Sequence, residues 1–262
     1  MLITPLYPEG KLKALTFSYD DGARSDLRLI EIFNRFGMKG TFNLNAGRLQ
    51  EDNVIHADEL KTVYAGHEIA AHGYTHPFLE RIPNSCALNE MLEDRRRLEK
   101  ITGSIINGFA LPFGTWLPET VVQLKAAGFL YSRTTRATER FNLPDNFLEW
   151  HPTCHHRQSE EMCEAFKKYR DPLALCYFWG HSFEFDRNNN WDLIEHVCSE
   201  LSGREEIWYA TNREIVRYLT ALKRLETSED AGILYNPSAE TLWFTASGKV
   251  QKIEGGETLY LE

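Results

Sequence analysis

The chain alternates short apolar runs with amphipathic stretches, and this alternation restricts its fold more than any other feature. Apolar runs of a length that suits buried strands lie at residues 14–19, 39–44, 68–71, 106–110, 130–134, 174–179 and 207–210. Helical spacing of apolar residues predicts helices at 25–36, 58–64, 87–101, 118–127, 160–169, 192–201 and 212–225. Repeated strand–helix units favour a parallel sheet, because parallel strands need long crossover connections. Seven or so units are too many for a typical open sheet, so we predict an α/β barrel or an irregular relative of one.

The pattern changes after about residue 226. Short β-like runs follow at 232–235, 241–245, 249–253 and 257–261, separated by turn-prone residues such as Gly255 and Gly256. We therefore predict a barrel over 1–225 and a small antiparallel β appendage over 226–262 that packs on it. A structural role for the appendage, such as covering a barrel edge, is favoured over a binding or oligomer contact.

The formal net charge of −9 argues against a nucleic-acid partner or an anionic membrane surface. No stretch of the 262 residues approaches the roughly 20 apolar residues of a membrane span. The five cysteines are odd in number and scattered, and the first residues do not resemble a signal peptide. These features predict a cytoplasmic protein with reduced thiols. They do not predict an oligomeric state.

Two neighbouring carboxylates, Asp20 and Asp21, stand where an apolar run ends, directly before Gly22. In α/β barrels, functional groups gather where strands end. Two anionic side chains at the end of a buried strand are costly unless a cation meets them. A solvated turn is the alternative, because aspartate before glycine is common in turns.

The apolar run at 68–71 is followed by a histidine pair, His72 and His76. Histidines four residues apart share one face if the segment makes a helical turn, and Gly73 allows the chain to bend there. One carboxylate and two imidazoles are a typical ligand set for a catalytic metal that keeps a position open. Two surface or hydrogen-bonded histidines are the alternative.

Three further groups of polar or aromatic residues lie near strand ends. His181 follows the run at 174–179 and is either a satisfied core residue or a proton donor near neutral pH. His155 and His156, in the segment 150–156, belong to a plain loop, a substrate-binding rim or a second metal site. The aromatic side chains of Trp116 and Phe183 are either core residues or surfaces on which a sugar ring stacks.

Taken in order, these segments resemble the polysaccharide deacetylase (NodB-homology) family, carbohydrate esterase family four. The segment 17–22, FSYDDG, resembles the first family motif, TFDDG, and 72–76, HGYTH, resembles the second. The segment 110–114, ALPFG, resembles the third, and the apolar strand that closes on His181 resembles the fifth. The resemblance covers roughly residues 13–225.

The resemblance implies a distorted (β/α)7 barrel and a role for each matching residue. Asp20 is the expected general base and His181 the general acid. Asp21, His72 and His76 are the expected ligands of one divalent metal, most often Zn²⁺, with Co²⁺ or Ni²⁺ as alternatives. The backbone N–H of Phe113 is expected to stabilise the oxyanion.

Three departures from the family motifs stand out. The family has an arginine that orients the base where this chain has Ala110, and Arg24 or Arg48 are candidates to replace it. Gly73 replaces a loop-stabilising Ser or Thr, with Tyr74 and Thr75 as candidate substitutes. The fourth motif, an aspartate–tryptophan segment that tunes the acid histidine, is not recognisable.

We therefore predict a metal-dependent hydrolase that removes N-acetyl or O-acetyl groups from a carbohydrate. Trp116, Phe183, His155 and His156 are the predicted substrate contacts. One alternative is hydrolysis of another non-peptide C–N bond in a small amide. Another is a catalytically silent carbohydrate-binding protein. Such a protein would not need the two aspartates or the three histidines, so their presence argues against it.

Overall fold

A computed structural model describes residues 3–261. Its β-strands are β1 (Ile3–Leu6), β2 (Lys13–Asp20), β3 (Gly40–Leu44), β4 (Glu68–Ala71), β5 (Gly108–Ala110), β6 (Tyr131–Arg133), β7 (Cys154–His155), β8 (Ala174–Gly180), β9 (Ile207–Tyr209), β10 (Glu226–Thr227), β11 (Ile233–Tyr235), β12 (Leu242–Ala246), β13 (Lys249–Ile253) and β14 (Thr258–Tyr260). Its α-helices are α1 (Asp26–Phe36), α2 (Leu60–Val63), α3 (Asn84–Thr102), α4 (Pro118–Ala126), α5 (Ser159–Lys168), α6 (Phe183–Asn188), α7 (Trp191–Leu201) and α8 (Asn212–Leu222).

A parallel sheet in the order β6-β5-β4-β3-β2-β8-β7 forms the centre of the molecule. The long strand β2 is buried along its whole length, as expected of a parallel strand covered on both faces. β8 pairs along one edge of β2, while β3 pairs with its second half and β9 with its first. The carboxyl end of β2 thus lies between the ends of β3 and β8.

The segment 150–155 joins the two ends of this sheet. Trp150 forms a parallel bridge with Arg133 at β6, and Cys154–His155 pairs with β8. The strands therefore curl into a distorted barrel with helices outside, which confirms the predicted (β/α)7 fold. All seven predicted strands are present, whereas β1, β7, β10 and α6 were not predicted.

The C-terminal strands form two small antiparallel sheets, which confirms the predicted appendage. One has the order β10-β11-β14, and the other has the order β1-β12-β13. The second includes the N-terminal strand, because Ile3 to Leu6 pair with Ala246 to Trp243. The two ends of the chain therefore meet in one sheet.

Helix ends follow simple sequence signals. α1 ends at Gly37, whose φ of 67° is readily adopted by glycine. α8 begins with a capping box, in which the Thr211 hydroxyl accepts from the Glu214 N–H and the Glu214 carboxylate accepts from the Thr211 N–H. Among residues 3–261, no helix combines the length and apolar character needed to cross a bilayer.

Candidate active site

Asp20 ends β2 and is held by two side chains from neighbouring strands. Its carboxylate is 2% exposed and accepts one hydrogen bond from Asn43 Nδ2 on β3, at 2.8 Å. The other carboxylate oxygen is paired with Arg133 on β6, whose side chain is fully buried. Burial alone would raise the pKa of Asp20, but Arg133, His72 and His181 outweigh it and hold that pKa below its usual value. The residue is therefore an ionised carboxylate in a fixed orientation.

Arg133 occupies the place of the arginine missing from the third motif. Ala110, at the motif position, is directly paired with Arg133 across the β5–β6 ladder. The guanidinium therefore reaches Asp20 from the next strand, and it lies over the Trp179 ring at 4.5 Å. The two expected substitutes pair elsewhere: Arg24 with Glu59 at 2.6 Å, and Arg48 with Glu51 and, at 3.6 Å, with Asp21.

Asp21, His72 and His76 come together beside Asp20. The Nε2 atoms of the two histidines are 3.1 Å apart, and each is 3.9 Å from Asp21 Oδ1. Asp21 Oδ1 is buried without a hydrogen-bond partner in the described chain. Three ligand-type atoms that converge in this way, one of them without a hydrogen-bond partner, fit a divalent metal of the zinc class.

His72 is oriented by groups behind it. Its Nδ1 lies 2.8 Å from the Ala110 carbonyl oxygen, which fixes the proton on Nδ1 and leaves Nε2 for a metal. Burial and the neighbouring His72 lower the pKa of His76 to about 4, so that imidazole is neutral near pH 7. Neutral imidazole is the form that binds metals.

Asn45 and Asp94 support the loop that carries the two histidines. Asn45 Nδ2 donates to the carbonyl oxygens of His72 and Gly73, at 2.7 and 2.6 Å. Asp94 on α3 accepts from the backbone N–H groups of His72 and Ala46. Thr75 is one of the two residues expected to replace the missing Ser or Thr. Its backbone N–H and its hydroxyl both donate to the Glu90 carboxylate.

Unusual backbone conformations concentrate at this site. Asp21, His76 and Phe113 have φ values of 74°, 62° and 59°, in the left-handed region that non-glycine residues rarely adopt. The Phe113 ring stacks on Phe78 with centroids 3.5 Å apart and meets the His76 ring edge-on at 4.5 Å. Such strain persists only where surrounding contacts fix it, and it is common at functional sites.

His181 approaches the two aspartates directly after β8. Its Nε2 is 4.0 Å from a carboxylate oxygen of Asp20 and of Asp21. Its Nδ1 faces Glu184 Oε1 at 3.6 Å. Burial alone would lower the pKa of His181, but Glu184, Asp20 and Asp21 together raise it. Glu184 thus occupies the position of a carboxylate behind the histidine, for which the sequence offered no recognisable motif.

The four expected substrate contacts have different surroundings. Phe183 lies 5.1 Å from the His181 ring, between ring centroids, and lines a cavity of about 430 Å³ together with Asp21. Trp116 donates its indole N–H to Glu149, and the described contacts of its ring are with His151. His156 is buried at 1% exposure, so it does not lie on a surface rim, whereas its neighbour His155 is half-buried.

Sequence reasoning missed Asn43, Asn45, Asp94, Arg133 and Glu184. Arg133 carried a usable signal, because a charged residue inside a predicted buried strand requires a partner. Glu184 follows His181 by three residues, which places the two on one helical turn. The two asparagines and Asp94 carried no signal distinct from that of ordinary polar residues.

The family model described as "Polysaccharide deacetylase" matches residues 8–132. The matched range includes the two aspartates, both loop histidines and the segment 110–114, and it ends one residue before Arg133. This match confirms the resemblance derived from the motifs. No curated protein sequence matches the chain.

Solved structures with the same fold are distant in sequence. A Mycobacterium smegmatis protein described as a polysaccharide deacetylase is 21% identical, with a TM-score of 0.67 over 84% of this chain and 94% of its own. An allantoinase is 18% identical, with a TM-score of 0.65 over 82% and 92%. A family 4 carbohydrate esterase pseudoenzyme from Bacillus anthracis is 18% identical, with a TM-score of 0.52 over 80% and 66%. At these identities the likeness concerns the fold alone.

Proposed function

We propose, because the polysaccharide deacetylase family model matches residues 8–132 and the site residues follow that family's motifs, that the chain is a metal-dependent hydrolase that removes acetyl groups from a carbohydrate. The observation that carries this proposal is the convergence of five side chains at the carboxyl ends of three strands. Asp20 ends β2 and Asp21 follows it, His72 and His76 follow β4, and His181 follows β8. The nearest side-chain atoms of the two aspartates lie about 4 Å from those of the histidines.

Asp21, His72 and His76 would hold the divalent metal, with zinc as the favoured ion. When bound, such an ion polarises the amide carbonyl and lowers the pKa of a bound water towards about 7. Asp20 is the group in place to accept the proton of the attacking water, since Arg133 and Asn43 fix its carboxylate without providing a metal ligand.

His181 is the group in place to donate a proton to the departing nitrogen. Its raised pKa means that it retains its proton nearer to neutral pH than an ordinary histidine does. The Phe113 N–H is the proposed donor to the carbonyl oxygen as negative charge develops there. Water adds to the carbonyl carbon, the C–N bond breaks, and acetate and a free amine are released.

Phe183 is the proposed substrate contact, because it is beside both His181 and the cavity that contains Asp21. The same chemistry would cleave an acetate ester or another non-peptide amide. An allantoinase shares the fold, so a small linear or cyclic amide is the second candidate substrate. A silent carbohydrate-binding protein is the third reading, since a pseudoenzyme also shares the fold.

The decisive test is acetate release combined with metal analysis. The substrates are acetylated chito-oligosaccharides, peptidoglycan fragments, acetylxylan and small amides. We expect Asp20→Asn to lower turnover by about 10²-fold to 10⁴-fold while zinc remains bound, because it removes the base but no ligand. Asp52→Asn, at an exposed loop position, is the control and should retain full activity.

Two results would contradict the proposal. Full activity of Asp20→Asn would show that Asp20 is not the base. A wild-type protein that binds zinc but releases nothing from any substrate would favour the silent reading.

A further inference from the structure

We propose that His155, His156 and Glu184 form a second divalent-metal site, separate from Asp21, His72 and His76. His155 ends β7, His156 follows it, and Glu184 lies in the first turn of α6. Two imidazoles and one carboxylate are a ligand set that suits zinc-class ions.

The spacing of the three side chains suits one ion. The Nε2 atoms of His155 and His156 each lie 3.1 Å from Glu184 Oε2. A tetrahedral zinc ion bound at about 2.0–2.1 Å keeps its nitrogen and oxygen ligands about 3.3 Å apart. Each nitrogen is thus close to the separation from the carboxylate oxygen that a shared ion would impose, and the three ligand atoms lie within 4.8 Å of one another.

His155 Nδ1 accepts a hydrogen bond from the Arg157 N–H at 3.3 Å, whereas Glu184 and His156 are not satisfied by these short contacts. Glu184 Oε2 and both ring nitrogens of His156 lack a hydrogen-bond partner within residues 3–261. His156 is 1% exposed and Glu184 is 6% exposed. Burying polar atoms without partners is costly, because such atoms lose their hydrogen bonds to water. An ion between Oε2 and the two Nε2 atoms would remove most of that cost.

The two oxygens of Glu184 have separate surroundings. Oε1 contacts Arg157 at 2.9 Å and Arg187 at 3.3 Å, and it faces His181. Within residues 3–261, the charged partners of Oε2 are the two histidines. The arginines repel a nearby cation, so we expect this set to bind its ion more weakly than Asp21, His72 and His76 do.

His156 is fixed in place by its neighbours. Its ring stacks between Tyr19 and Phe185, with centroid distances of 5.8 and 4.3 Å. Gly180 leaves room for the ring, because a Cβ there would lie 2.1 Å from His156 Nδ1. The imidazole cannot turn away to find another partner. An ion would therefore join β7 to α6 and fix the carboxylate behind His181.

Metal stoichiometry tests the proposal. The full-length protein is loaded with zinc, freed of excess ion and analysed by mass spectrometry. We expect two ions per chain in the wild type and one each in His155→Gln and Glu184→Gln. His151→Gln, which changes a histidine of the same segment that lies outside the set, should retain two. During chelator titration, the ion that His155→Gln lacks should leave the wild type first.

The first site is read separately with His72→Gln. Its loss of one ion, with the second retained, supports both sites. One ion in the wild type, lost in His72→Gln and retained in His155→Gln, would overturn the second site and leave the first intact. If Glu184→Gln does not fold, His155→Gln still decides the question, because His155 is only half-buried.

Discussion

At the residue scale, the arrangement around Asp20 shows how one function can be supplied from a different strand. The third motif places an alanine where an arginine is usual, yet Asp20 still has a buried guanidinium partner. That partner is Arg133, which stands opposite Ala110 in the β5–β6 ladder. The guanidinium that pairs with Asp20 thus comes from β6 rather than from the neighbouring β5, at the same position along the ladder.

We expect Arg133→Met to lower kcat by about 100-fold while zinc remains bound, because Asp20 loses its charge partner and its fixed orientation. Turnover and metal content are measured together. Arg35→Met, on the exposed face of α1, is the control and should change neither. If Arg24→Met or Arg48→Met proved more harmful to kcat than Arg133→Met, this assignment would fail.

A second variant tests the exchange between strands. In the double variant Ala110→Arg, Arg133→Ala, the guanidinium starts from the usual motif position. We expect it to recover part of the activity that Arg133→Ala alone loses. Absence of any recovery, in a protein that folds and binds zinc, would argue against the equivalence of the two positions.

Asn45 is the residue on which the histidine loop depends most directly. Its amide donates to two successive carbonyl oxygens, those of His72 and Gly73. We expect Asn45→Ala to weaken zinc binding by about 10-fold to 100-fold, the usual effect of removing a group that positions a ligand. Competition with a chelating dye measures the affinity. Thr75→Ala is the matched control, and equal weakening in it would show that the loop is supported differently.

At the scale of elements, the sequence indicated the strands that are apolar and buried, and it missed those that are short or polar. β7 has only two residues, one of them His155, and α6 has six, too few for a clear helical period. β1 contains Pro5, which is tolerated because β1 is the outer strand of its sheet. These elements depend on contacts with the rest of the molecule rather than on a local sequence pattern.

The residues of the site differ in the same way: some have a local sequence signal and others do not. The aspartates and histidines that meet at the site could be picked out from the sequence, because each stands at or just after the end of a readable strand. The pairing of Arg133 with Asp20 could not, since the two are 113 positions apart and their contact depends on strand order and on the β5–β6 register. Long-range pairing of this kind leaves no local pattern in the chain.

His67 links two elements and should make stability depend on pH. Its Nδ1 accepts from the Gly40 N–H of β3, and its Nε2 lies 3.2 Å from Asn34 of α1. Burial and then Lys39 lower the pKa of His67 to about 4. Because the folded state disfavours the proton, the contribution of His67 to stability is greatest above pH 6.5 and falls as the pH approaches 4.

Between pH 7 and pH 5 we expect His67 to account for a loss of about 1–2 kcal/mol in the free energy of unfolding. Urea unfolding at the two pH values measures it. His67→Gln retains an amide at the position but does not titrate, so its loss over this range should be smaller by that amount. Identical losses in both proteins would show that His67 does not contribute.

At the scale of the whole molecule, the C-terminal sheets share an apolar core with the barrel. Leu242, Phe244 and Ile253 of the appendage pack in one cluster with Tyr177 of β8 and Ile215 of α8. The predicted division into 1–225 and 226–262 therefore separates sequence patterns rather than hydrophobic cores. We infer that packing of the C-terminal strands against this shared core stabilises the barrel.

Tyr218 of α8 hydrogen-bonds to the strands of the appendage sheet, so its substitution tests how much this contact contributes to stability. Its hydroxyl donates to the Leu6 carbonyl oxygen at 2.6 Å and accepts from the Trp243 N–H at 3.0 Å, so one group joins α8 to both β1 and β12. We expect Tyr218→Phe to lower the free energy of unfolding by about 1–3 kcal/mol, because it leaves two backbone groups without their partner. Acetate release at 25 °C should stay unchanged, since no contact of Tyr218 reaches the aspartates or histidines of the site.

Tyr260→Phe, at a 72% exposed position on β14, is the control and should change neither property. If Tyr218→Phe unfolded like the wild type, the appendage would not be held through this contact, and deletion of 226–262 would then show whether the shared apolar cluster alone holds it.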